Sequence, residues 1–275
     1  MQIDLDYADR HVVVFGGTTG INFGIAQAFA RQRARVTVAS RRQENVDAAV
    51  AALAAVREAG AEVHGVVADV RDFDAVGAAF AQSVQRFGPV DVLVSGAAGN
   101  FLCAAQAMSS NGFKVVVDID LVGSFHVLRQ AHAHLRKPGA SVIQITAPQS
   151  FVPMRYQAHA SAAKAGVDQL TRTLALEWGG EGIRVNSISP GPIDGTEGFR
   201  KLMAPTAEDR AFALGQVPLQ RFGSLDDIAN LALFLGSPYA AYISGALIPC
   251  DGGGALESVK PALEAAGRRG PGAAG

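Results

Sequence analysis

Three sets of residues have types and spacings that can do chemistry. Gly16-Gly17-Thr18-Thr19-Gly20-Ile21-Asn22 lies between a β-branched run at His11 to Phe15 and a helix-like stretch from Ile21 to Ala30. In that setting, backbone amides and a helix N-terminus can face a pyrophosphate, which points to a bound dinucleotide rather than a mere Gly-rich turn. About twenty residues further on, where an NAD site places an acid against the ribose hydroxyls, the chain has Ser40-Arg41-Arg42. Two guanidiniums and a hydroxyl suit a 2′-phosphate, so the expected cofactor is NADP(H). Asp120 shares a helical stripe with Phe113, Val116, Val117, Ser124 and Val127, which predicts an inward-facing acid. Asp118 falls four residues after Lys114 and is expected to be an ordinary salt-bridged or solvated acid.

These groups need a frame. Strand-like runs at His11 to Phe15, Val36 to Ala39, Val63 to Val67, Val90 to Val94, Ser141 to Ile145, Arg184 to Ile188 and Ala246 to Pro249 alternate with helical patterns. The helical patterns cover Asn45 to Ala59, Phe73 to Phe87, Phe113 to Leu135, Ala158 to Trp178 and Leu225 to Leu235. Continuous apolar strands separated by helices predict an α/β fold, a single doubly wound parallel sheet of about seven strands with helices on both faces. One domain over residues 1–258 and a loose tail over 259–275 are expected.

Of the 275 residues, 49% are apolar and 18% charged, so a large core can be buried. Twenty-four Lys and Arg against 25 Asp and Glu leave no basic tract for a nucleic acid. No apolar run reaches the length of a membrane span. Cys103 and Cys250 supply neither a disulfide framework nor a zinc site, and no metal is expected. A reducing, cytoplasmic setting fits, and the terminal Ala-Ala-Gly is not a peroxisomal address.

From about His11 to Gly254 the chain resembles the short-chain dehydrogenase/reductase family. Beyond the glycine turn, the resemblance lies in Asp69-Val70, Arg184-Val185-Asn186, Pro190-Gly191 and Asp251-Gly252-Gly253. It implies that Asp69 and Val70 flank the adenine, that Ala97, Ala98 and Gly99 adjoin the cofactor, and that Pro190 to Thr196, with Gly191 and Ile193, lie along the nicotinamide. Asn22 stands where the family keeps a glycine, so its side chain either bonds the cofactor or shifts the helix. The family's catalytic Ser and Tyr fall on Ala147 and Ala160, while its Lys is retained as Lys164, in reach of the nicotinamide ribose. A methyl group transfers no proton, so ordinary ketone or alcohol chemistry is disfavoured. Asp120 occupies the place of the family's usual Asn.

One subgroup, the 2,4-dienoyl-CoA reductases of the peroxisomal type, is similar in further runs. These are Ala98-Gly99-Asn100-Phe101-Leu102-Cys103, Asp118-Ile119-Asp120, His159-Ala160 with Lys164, and Gly191 to Gly198. The similarity implies an acyl-CoA thioester substrate, with Phe101, Ser109, Ser110 and Asn111 lining its pocket and Arg71 and Lys201 meeting the coenzyme A phosphates. It implies NADPH-dependent reduction of a conjugated diene, with Lys164 orienting the ribose and Asp120 handling the proton.

Two alternatives remain at this level. An enoyl-thioester reductase would use a Tyr seven residues before the Lys; Tyr156 stands eight before it, about 100° around a helix. A catalytically inactive NADP(H)-binding protein is the other. His159 is either a proton donor or a pocket-wall residue. The apolar excess on the helices from Phe113 and from Ala158, together with the family resemblance, predicts a homo-oligomer, expected to be a tetramer.

Overall fold

The computed structural model describes residues 5–200 and 206–257. In chain order the main elements are β1 (His11–Phe15), α1 (Gly20–Arg31), β2 (Arg35–Ser40), α2 (Gln43–Val56), β3 (Glu62–Val67), α3 (Phe73–Phe87) and β4 (Val92–Ser95). There follow α4 (Ser110–Val117), α5 (Gly123–Ala131), β5 (Ser141–Ile145), α6 (Ala158–Trp178), β6 (Arg184–Pro190), α7 (Ala207–Gly215), α8 (Leu225–Gly236) and β7 (Leu247–Cys250). The strands form one seven-stranded parallel sheet, as the strand and helix pattern predicts, and its order is β3-β2-β1-β4-β5-β6-β7.

The continuous apolar runs follow from burial on both faces. Val12 and Val14 of β1 enter a core with Ile25, Phe29, Ile228 and Leu235. Val13 and Phe15 enter the opposite one with Phe80, Leu93 and Leu128. Helix α3 runs over the predicted residues because Asp72 caps it, accepting from the N–H groups of Asp74 and Ala75, while Val76, Phe80 and Phe87 turn inward. Burying a side chain such as Phe80 contributes about 1.5–3 kcal/mol.

Several boundaries differ from the sequence expectation by a few residues, and two of the differences have identifiable reasons. Helix α4 begins at Ser110 rather than Phe113, since the Ser109 hydroxyl accepts from Gly112 N–H and starts the helix early. Strand β4 begins at Val92 rather than Val90, because Val90 bonds instead to the segment after α5, through His134 and Arg136. Among the described residues no helix is long and apolar enough to cross a membrane.

The amino end of the sheet is closed by a bonded polar network. Fully buried His11 has Nδ1 at 2.8 Å from Gly88 O and Nε2 at 2.8 Å from Ser83 Oγ, which in turn bonds Thr37 Oγ1. Burial pushes the His11 pKa down to about 4. Buried Asp91 accepts from the His11 backbone N–H and pairs with Arg10 and Arg136.

Candidate active site

The order of strands reverses between β1 and β4, which opens a crevice at their carboxyl ends. The turn after β1 enters it with Gly16 at φ +73°, and a Cβ there would lie 2.9 Å from the Ala97 backbone. Only glycine admits that approach. Asn22 Nδ2 donates to Gly96 O at 2.7 Å, and a Cβ on Gly96 would meet Asn22 Oδ1 at 2.3 Å. The bulk added at Asn22 is therefore housed by Gly96, and the amide ties the first turn to the loop after β4. Thr19 makes no side-chain cap on α1, and the first turn of α1 carries no acid. Its N–H groups and positive dipole end thus fit a pyrophosphate, alongside Gly17, Thr18, Gly20 and Ile21.

Ser40 ends β2, and Arg41 and Arg42 follow it, both exposed. Arg42 lies 3.8 Å from exposed Glu44, a contact too solvated to neutralise it. Asp69 is bonded by the Arg71 side chain at 2.5–3.2 Å, which holds its carboxyl below the usual range. Arg71, expected at the coenzyme A phosphates, is thus engaged with Asp69 here. Val70 is buried, packed so closely on Gly123 that a Cβ there would come within 2.6 Å.

The helix expected from Phe113 to Leu135 is interrupted. Residues Asp118–Val122 form a π-turn, in which Gly123 N–H reaches back five residues to Asp118 O. Such single turns insert one residue into a helix and redirect its side chains. Val116, Asp120, Ser124 and Val127 remain inward, while Phe113 turns out to solvent. Asp120 is 1% exposed, and its Oδ1 accepts from Gly99 N–H at 2.7 Å. Its Oδ2 lies 3.2 Å from the Nζ of Lys164, itself buried on α6, and that Nζ also donates to Ile145 O at 3.2 Å. The structure brings together the two residues expected to be catalytic. Asp118 pairs with Lys114 at the surface, as the spacing predicts.

Ala160 is buried beside Lys164, and Ala147 adjoins the short turn at Pro148–Ser150. Phe101 is half-exposed, its ring centred 4.4 Å from that of His159. Ser109, Ser110 and Asn111 lie exposed at the start of α4. Lys201 lies outside the described residues. Along the stretch after β6, Ile193 is buried, and Thr196 Oγ1 donates to Ile193 O at 2.9 Å. Gly191 sits so close to Asp251 that a Cβ would come within 2.5 Å of its Cα. Tyr156 precedes α6 rather than lying on it, at φ +65° and 56% exposed.

Several contacts that hold these segments escaped the sequence reading. Asn100 and Gln149 both donate to Gln157 Oε1, and Cys103 N–H donates to Tyr156 O, tying the loop after β4 and the turn after β5 to the segment before α6. Arg210 of α7 pairs with Asp194 and stacks over Phe222 at 4.7 Å. No local motif announces such contacts, since most of them join segments well separated in the chain.

The parallel sheet, the glycine turn at its switch point and the buried lysine on α6 define a nucleotide-binding oxidoreductase of one family. The chain belongs to the short-chain dehydrogenase/reductase family. Residues 16–254 match the family profile described as enoyl-(acyl carrier protein) reductase. The chain is 43% identical over 246 residues to the peroxisomal 2,4-dienoyl-CoA reductase [(3E)-enoyl-CoA-producing] of Rattus norvegicus, covering 89% of this chain and 83% of that one. It is 37% identical to a probable 2,4-dienoyl-CoA reductase [(2E)-enoyl-CoA-producing] of Bacillus subtilis, covering 89% and 96%. Among solved structures, a short-chain dehydrogenase from Bacillus anthracis is similar with a TM-score of 0.79 and 34% identity, over 90% of this chain and 97% of that one. A short-chain type dehydrogenase/reductase from Mycobacterium ulcerans matches with a TM-score of 0.87 and 28% identity, over 91% of each.

Proposed function

We propose that the protein catalyses NADPH-dependent reduction of a 2,4-dienoyl-CoA. The observation that carries this reading is the buried Asp120–Lys164 pair, together with Ala147 and Ala160 at the places where the family resemblance puts Ser and Tyr. Reduction at carbon needs a positioned acid or water and a stabilised thioester oxygen, and it tolerates the loss of a phenol at a carbonyl. The relatives' names, 2,4-dienoyl-CoA reductase in each case, support the substrate class.

The turn from Gly16 to Asn22 would hold the pyrophosphate, and Arg41 and Arg42 the 2′-phosphate. Asp69 and Val70 would flank the adenine, Ala97, Ala98 and Gly99 the nucleoside, and Pro190 to Thr196 the nicotinamide. The bound cofactor supplies a hydride. Lys164 orients the ribose and brings positive charge to the site. Asp120, held by Gly99 and Lys164, passes a proton through a water to the substrate carbon. Phe101 and the start of α4 line the acyl pocket, with Arg71 and Lys201 on the coenzyme A phosphates.

The deciding assay follows NADPH absorbance with a 2,4-dienoyl-CoA and with a 2-enoyl-CoA. Turnover of the diene is expected; tight NADPH binding without turnover across both thioesters would favour an inactive binding protein. The enoyl-reductase alternative draws on the description of the family profile. Its phenol would be Tyr156, which points away from support by lying outside α6 and largely in solvent. Tyr156→Phe is accordingly expected to leave the rate on the diene within about twofold.

The assembly we infer is a homotetramer. Leu121, Val122, Phe125, Gly166 and Leu170 form a shallow apolar surface on the outer side of the π-turn, α5 and α6, with Phe125 47% exposed. Sedimentation at micromolar concentration showing a 28.5 kDa monomer would overturn it. Several eukaryotic relatives are named for the peroxisome. For this chain we propose the cytoplasm, and the free thiols of Cys103 and Cys250 are compatible with such a reducing compartment.

A further inference from the structure

The proposed reduction needs a group that the residues assigned above do not supply. As hydride forms a C–H bond at the far carbon of the diene, the π electrons shift and leave a pair on the thioester oxygen. That pair returns when a proton forms the second C–H bond. In between, the oxygen carries charge and requires a donor.

His159 lies in the first turn of α6, next to Ala160, and is 0% exposed. Among the described residues neither Nδ1 nor Nε2 has a hydrogen-bond partner. A neutral imidazole always carries one N–H and one lone pair, so this burial leaves both unmet. Fully buried His11, by contrast, has bonding partners at both nitrogens. The fold bears at His159 a penalty that it avoids at the other end of the sheet.

The ring of Phe101 meets the imidazole at 76°, with centroids 4.4 Å apart. Phe101 is 36% exposed and sits on a loop without regular secondary structure. An acyl thioester that turns this ring aside reaches the imidazole next. The first turn of α6 carries neither a side-chain cap nor an acid, so its positive dipole end favours negative charge near His159.

We propose that His159 is a catalytic residue whose ring N–H donates to the thioester carbonyl oxygen and stabilises the charge that develops there. The proposal rests on reading the chain as an acyl-thioester reductase. The imidazole keeps its proton throughout, and both new bonds to hydrogen form at carbon.

The test uses His159→Phe, which retains a ring against Phe101 but has no N–H, and His159→Gln, which retains a donor. A saturated acyl-CoA with a ¹³C-labelled thioester carbonyl is bound without cofactor and read by infrared difference spectroscopy. Wild type is expected to lower the carbonyl stretch, His159→Phe to return it to the solution value, and His159→Gln to fall between. With NADPH and a 2,4-dienoyl-CoA, kcat is expected to fall roughly 10²–10³-fold in His159→Phe and to recover partly in His159→Gln, with KM for the thioester changed only a few-fold. Wild-type kcat in His159→Phe overturns the proposal, as does an unshifted carbonyl in the wild-type complex. If His159→Phe fails to bind NADPH, the carbonyl stretches of wild type and His159→Gln decide, and identical values overturn it. Wild type that reduces no thioester at all defeats the functional reading itself, an outcome distinct from a His159→Phe enzyme that matches an active wild type.

Discussion

The two ends of the sheet bury polar groups on opposite terms. At the amino end, His11, Ser83, Thr37 and Asp91 are all bonded, and Arg10 and Arg136 bring the cations that Asp91 needs. At the carboxyl end, Asp120 and Lys164 satisfy each other, yet Asn22 Oδ1, Gln149 Oε1, Ser150 Oγ and both nitrogens of His159 have no partner among the described residues. A buried polar group left unmet costs about 1–3 kcal/mol. The amino end is built to hold strands together, and the carboxyl end carries unmet donors and acceptors where a ligand can use them.

The largest break in this contrast is expected from Asp120→Asn. The amide keeps the carboxylate's shape and its acceptor for Gly99 N–H, so NADPH should still bind. Turnover of a 2,4-dienoyl-CoA should fall by roughly 10²–10⁴, as for lost acid-base catalysis. Near-wild-type steady-state rates would falsify the assignment of the acid.

Acid titration should break the other end. The His11 pKa is depressed to about 4 in the fold and returns to 6.5 on unfolding, so between these values the unfolded chain binds more protons. This contribution is fully present above pH 6.5 and is lost as pH falls toward 4, amounting to roughly 3 kcal/mol. Chemical denaturation across that window should show the slope in wild type and a shallower one in His11→Gln; equal slopes would remove His11 from the account.

The Arg41→Ala, Arg42→Ala double variant sharpens the contrast at the crevice rim. Solvated charge-assisted contacts should shift the NADPH-to-NADH affinity ratio by about tenfold or more toward NADH. An unchanged ratio in fluorescence titrations would place the 2′-phosphate elsewhere. The smallest effect is expected from Asn22→Ala, which removes one bond to Gly96 and lowers stability by about 1 kcal/mol in thermal unfolding. A loss several times larger would mean that Asn22 anchors more than this loop.

Strands such as β1 and β5 and helices α3 and α6 were legible in the sequence, residue for residue, because local periodicity reports burial directly. The glycine turn was legible too, since a strand feeding a helix through closely spaced glycines has a specific backbone requirement. The inward direction of Asp120 followed from its stripe, although the π-turn that redirects its neighbours left no mark in the pattern.

By itself, then, the order of residues determined the parallel sheet, the glycine turn after β1 and the paired arginines, because each is a property of local type and spacing. That Ala147 and Ala160 stand at the places of the family's Ser and Tyr came from the family resemblance. Only the tertiary structure decided that Gly96 makes room for Asn22, that Tyr156 stays off α6 and that His159 is buried with no partner among the described residues. Those outcomes depend on which distant segments meet and on the volume left between them, quantities that no single stretch of sequence contains.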